Sequence, residues 1–75
     1  MMNKTKRIWL WIHNGQLMKA VFCPEEGSLT LYDEKDVVLL RRKGLSPAQM
    51  RTLETMLSTS GAKRIDGQNE PFTYL

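Results

Sequence analysis

The sequence contains one cysteine, one histidine and no long apolar run. Cys23 therefore cannot form a disulfide within the chain, and a structural zinc site would lack most of its usual four ligands. A membrane-spanning helix needs about 20 mostly apolar residues, and no stretch here approaches that length. We expect no metal, no cofactor and no contact with a membrane. A lone thiol with no signal-peptide cleavage site favours a reducing, cytoplasmic location.

Recognised catalytic and phosphate-binding motifs are also missing. His13 has the right chemistry for a general base, but it lies beside a predicted turn with no serine nearby in sequence. Cys23 falls at the far end of the partner strand, which excludes a Cys–His dyad within the hairpin. The acidic segment 33–36 lacks the spaced ligands and the glycine of a calcium loop. The glycines are scattered among turns, so we predict that the chain is not an enzyme.

Two β-rich runs joined by Asn14-Gly15 are the strongest structural signal. Both residues tolerate positive φ, which a two-residue type I′ turn requires at its central positions. Pairing across this turn places His13 opposite Gln16 and continues to Ile8 opposite Val21. The sequence therefore predicts a hairpin of residues 6–13 and 16–23.

Short polar turns separate the hairpin from two further β-rich runs, at residues 28–32 and 37–42. Short connections favour antiparallel neighbours, so these four runs predict a four-stranded antiparallel meander. Residues 1–5 are expected to be disordered, and the whole of residues 1–75 is expected to form one small domain. An apolar run in the fourth strand is followed by basic residues.

The best-defined helix signal starts at Ser46, which suits the N-cap, with Pro47 at the first helical position and Gln49 completing a capping box. Apolar residues at helical spacing from Met50 onward predict a helix over about 47–60, with Gly61 after its end. Residues 63–65 and 72–74 predict a short C-terminal strand or hairpin. The fold class is therefore α+β.

The predicted hairpin is apolar on both of its faces, although one helix can cover only one face of a small sheet. A monomer rarely exposes such a patch, so we predict a non-enzymatic binding module that acts through protein–protein contacts and self-associates, as a homodimer. Sheet closure or the C-terminal tail could also bury it. The candidate interaction surface is one face: Trp9, Trp11, Met18 and Phe22. The alternative is the opposite face: Ile8, Leu10, Ile12, Leu17 and Val21.

Basic residues gather at the ends of the first and fourth predicted strands, which a meander places at the same end of the sheet. Together with the aromatic residues they suggest an alternative function, nucleic-acid binding, in which aromatic rings stack on bases and cations contact phosphates. Neighbouring Glu25 and Glu26 oppose this, and a net charge of +3 is only mildly basic. The candidate phosphate-contacting residues are Lys6, Arg7, Arg41, Arg42 and Lys43.

Overall fold

The computed structural model describes residues 6–65, which form one antiparallel sheet and one helix and confirm the predicted α+β fold. The elements in chain order are β1 (Arg7–His13), β2 (Gln16–Cys23), β3 (Ser28–Tyr32), β4 (Val38–Arg42), α1 (Pro47–Thr59) and β5 (Lys63–Arg64). The predictions for residues 1–5 and 72–74 lie outside the described residues.

The first hairpin turns at Asn14 and Gly15, whose φ angles are +53° and +77°. Positive φ at both positions is what the type I′ turn needs, and it sets the register of the two strands. His13 pairs with Gln16, and the ladder continues without a shift to Arg7 opposite Phe22. The predicted hairpin and its register are confirmed.

The strand order in the sheet is β4-β3-β2-β1-β5. After the helix the chain returns to the free side of β1, where Trp9 pairs with Arg64. This confirms the short C-terminal strand predicted at residues 63–65. Because β1 lies between β2 and β5, it does not pair with β4, and the described sheet is open with β4 and β5 as its edges.

Helix α1 begins where the capping residues predict. The Ser46 hydroxyl accepts from the Gln49 N–H at 3.1 Å, and the Gln49 side chain accepts from the Ser46 N–H at 2.8 Å. Both bonds satisfy backbone donors that a helix start leaves free. Met50, in the first turns of the helix, packs in the core at 1% exposure and marks the helix face that meets the sheet.

The core lies between α1 and the sheet face that carries the two tryptophans. Ala20, Phe22, Leu29 and Met50 are buried there. The partly buried residues packed around them are Trp9, Trp11, Leu31, Leu45, Leu53 and Leu57. The helix therefore covers the tryptophan face, a choice between two apolar faces that the sequence left open.

A polar contact fixes the helix over β1. The Glu54 carboxylate accepts from Arg7 Nε at 2.7 Å and from Trp9 Nε1 at 2.9 Å. All three groups are partly buried, so losing the carboxylate would leave two donors without their partner. This contact holds α1 toward the β1 side of the sheet, which leaves β4 on the far side.

The turn between β2 and β3 touches the entry to the helix at Gly27. The Leu45 N–H donates to the Gly27 carbonyl at 2.9 Å, and a Cβ at Gly27 would lie 2.9 Å from the Leu45 carbonyl oxygen. Gly27 also has a positive φ of +66°, as does Gly44 at +77°, but a Cβ at Gly44 would meet nothing within 4 Å.

We expect Gly27→Ala to destabilise the domain more than Gly44→Ala. The left-handed backbone should cost each variant about 1–2 kcal/mol, because alanine disfavours it. Gly27→Ala should lose a further ~1–3 kcal/mol from the backbone clash. Urea unfolding of both variants measures the difference, and equal losses would show that the Gly27–Leu45 approach contributes nothing.

Candidate functional site: an apolar edge strand beside an open groove

Strand β4 is exposed along its whole length although its first half is apolar. Val37 is 53% exposed and Leu39 50%, and Val38 and Leu40 are similarly open. Among residues 6–65, β4 pairs with β3 alone, so part of its backbone hydrogen-bonding capacity faces away from the described sheet. A consecutive apolar run on an open edge is a surface that soluble proteins usually protect.

The geometry of β4 is set by the turn that precedes it. The Asp33 carboxylate accepts from the backbone N–H groups of Lys35 at 2.8 Å and Val37 at 2.9 Å. The Asp33 N–H also donates to the Val37 carbonyl at 3.0 Å. This local network fixes where β4 starts.

A register shift follows in the β3–β4 ladder. Leu31 pairs with Leu40, but Tyr32 pairs with Val38, so Leu39 is an extra residue between two pairs. Such a bulge bends a strand and increases its local twist. Leu40 lies on the helix side of the sheet, where it lines the groove beside α1. Leu39 does not line that groove and is 50% exposed.

An apolar groove of about 350 Å³ runs between α1 and the helix side of the sheet. Its inner wall is core, including Phe22, whereas its outer wall includes Leu40 and Met56, which are 41% and 59% exposed. The groove therefore opens toward β4, because α1 is held over the other side of the sheet. Together, the exposed residues Val37, Val38, Leu39, Leu40 and Met56 are called the β4 surface.

Opposite charges flank the apolar part of β4. The preceding turn carries Asp33, Glu34 and Asp36, and β4 ends in Arg41 and Arg42, followed by Lys43; the only basic residue in the turn is Lys35. Asp36 accepts from Lys19 at 3.0 Å but keeps 74% of its side chain exposed. The edge is therefore acidic at one end, apolar in the middle and basic at the other end.

The predicted interaction surface of Trp9, Trp11, Met18 and Phe22 lies on the face that α1 covers. Phe22 is 1% exposed, and both tryptophans pack against the core. Met18 is partly buried beside Trp11. These residues belong to the covered face, and among residues 6–65 the exposed apolar side chains lie mainly in and beside β4. The apolar run of the fourth strand was the available signal, but it equally suits a buried strand.

The opposite hairpin face is only partly open. Ile8, Leu10 and Val21 are partly buried, whereas Ile12 and Leu17 near the turn are exposed. The exposed part consists of two neighbouring residues, since Ile12 pairs with Leu17.

The candidate phosphate-contacting residues do not form one patch. Arg7 is engaged by Glu54, and Lys6 precedes it at the start of β1. Arg41, Arg42 and Lys43 lie at the end of β4, across two intervening strands and about 14 Å away in a flat sheet. The Trp9 indole N–H is bonded to Glu54, so the tryptophans do not form an exposed stacking platform beside those arginines.

Residues with catalytic or metal-binding chemistry are not gathered in the described part of the chain. His13 is exposed at the hairpin turn, where its Nε2 lies 3.3 Å from Asn14 Nδ2. Cys23 is buried at the other end of β2. Among residues 6–65, no three His, Cys, Asp or Glu side chains are grouped as a metal site would require.

No protein-family model, curated protein or solved structure matches this chain. The one helix among residues 6–65 is too short to cross a membrane. Function is therefore inferred from the surfaces of the domain alone.

Proposed function

We propose that this domain is a non-enzymatic binding module that acts through protein–protein contacts at the β4 surface. One observation carries the proposal: an apolar strand at an open sheet edge runs beside a groove that leads to the core. An edge strand offers unpaired backbone groups to a polypeptide partner, and the groove accepts apolar side chains. Both features suit a protein partner better than a small polar ligand.

The rest of the domain supports a scaffold role. A capped helix, a type I′ hairpin and the Glu54 contact build a defined core, and β4 lies exposed at an edge of the described sheet. The opposite edge, β5, is two residues long and carries Lys63 and Arg64, features that discourage strand addition. The two edges therefore differ in length and polarity: β4 is longer and largely apolar, whereas β5 is short and basic.

Site-specific photo-crosslinking tests the proposal. A photoreactive amino acid at position 56, on the rim of the groove, should give discrete protein adducts in extract from the source cells. The matched control is position 55, the next residue on α1, which is exposed on the solvent side of the helix. Adducts at position 56 should disappear when excess unlabelled domain competes for the partner. Equal labelling at both positions, or none at either, would reject a binding role for this surface.

A further inference from the structure

We infer that the partner of the β4 surface is a second copy of this chain, joined through antiparallel pairing of the two β4 strands. The inference rests on the proposed function, and it specifies the occupant of that surface. The observation behind it is the order of charges along β4, which is acidic before the strand and basic after it.

Two copies of β4 complement each other in only one direction. In an antiparallel pair, the acidic turn of each copy, with Glu34 and Asp36, meets the basic end of the other, with Arg41 and Arg42. In a parallel pair, acidic meets acidic and basic meets basic, which is unfavourable. The apolar residues 37–40 face each other in either case. Charge therefore favours the antiparallel arrangement of two β4 strands. It also disfavours pairing of β4 with a strand from another protein that lacks the same order of acidic and basic ends.

A two-fold axis at β4 also gives a closed assembly. Each copy contributes the same surface, so the contact is self-complementary and ends at a dimer with one continuous sheet. The sheet faces are preserved, which places both helices on the same side and makes the two grooves border one shared apolar floor. Within residues 6–65, the remaining edges of that dimer are the short, basic β5 strands, which resist further addition.

Charge reversal with a complementary pair of variants tests the arrangement. The acidic-turn variant is Glu34→Lys with Asp36→Asn, which keeps a residue that tolerates the positive φ of +64° at position 36. The basic-end variant is Arg41→Glu with Arg42→Glu. All four side chains are exposed, so the fold should be retained, as circular dichroism would verify.

Sedimentation velocity should show a wild-type dimer that weakens as salt rises. Each variant alone should associate at least about tenfold more weakly, because the charges introduced by Glu34→Lys or by the two arginine substitutions meet like charges on the other copy, and Asp36→Asn removes an attraction. An equimolar mixture should recover a dimer with one copy of each variant, since both contacts are then attractive. Arg51→Glu with Lys63→Glu, which has the same net charge as the basic-end variant but leaves β4 unchanged, should dimerise like the wild type.

Distinct outcomes overturn the inference and the proposed function. A wild-type chain that stays monomeric at every concentration, or variants that dimerise unchanged, overturns the pairing of two copies. Variants that are both monomeric but fail to associate when mixed overturn the antiparallel arrangement. If the wild-type chain is monomeric but position 56 still crosslinks a different protein specifically, the proposed function stands and only the second copy is rejected.

Discussion

Met50→Asp should abolish folding, whereas Met56→Asp should leave the fold intact and weaken association. Both methionines lie on α1, but Met50 is 1% exposed in the core and Met56 is 59% exposed at the rim of the groove. A carboxylate at position 50 would be buried without a cation or donor, at a cost of several kcal/mol. A small domain has an unfolding free energy of about 5 kcal/mol, so this loss is comparable to its whole stability.

The same substitution at position 56 has a different physical effect. Its carboxylate reaches water, so the melting temperature should stay within a few degrees of the wild type. The charge would nevertheless lie beside the apolar β4 surface, where a partner would have to desolvate it. Circular dichroism and sedimentation measure the two effects separately. A folded Met50→Asp protein would contradict the core assignment, and unchanged association of Met56→Asp would remove Met56 from the binding surface.

Phe22→Ala should destabilise the domain by about 3–5 kcal/mol, which is typical of truncating a buried aromatic residue. Phe22 is 1% exposed and lies between α1 and the centre of the sheet, where it shares the core with Ala20, Leu29 and Met50. Its removal would leave a cavity continuous with the groove. Since the groove already reaches Phe22, water can enter that space, and little relaxation of the core is expected.

Ile12→Ala is the matched control on the same hairpin. Ile12 is 65% exposed, so its truncation should cost less than about 1 kcal/mol. Urea unfolding monitored by tryptophan fluorescence compares the two variants, since Trp9 and Trp11 pack against the core. Similar losses for the two substitutions would mean that the helix does not cover the tryptophan face.

Elements whose structure depends on residues close together in the sequence could be predicted from the sequence. Asn14-Gly15 supplies both positive φ angles, so the hairpin register followed from the turn alone. Ser46 and Gln49 satisfy the first backbone donors of α1, so its start followed from the cap. The turn and the cap can be predicted without knowing how the helix packs against the sheet.

The position of the exposed surface could not be predicted in the same way. Both hairpin faces are apolar, and the choice between them depends on long-range contacts such as that of Glu54 with Arg7 and Trp9. Residues 37–40 have the composition of a buried strand, and the sequence does not show that they lie exposed at an edge of the sheet. The sequence alone does not show that Trp9 and Trp11 pack against the core on the face that α1 covers.

Amide hydrogen exchange of the full chain, followed by NMR over a wide range of protein concentration, tests the pairing of β4 most directly. Alternate β4 amides point away from β3 and are free in a monomer. If two β4 strands pair, these amides should exchange more slowly as the concentration rises, while amides at the outer edge of β5 keep their rates. Exchange in β4 that does not depend on concentration would contradict self-association through this edge.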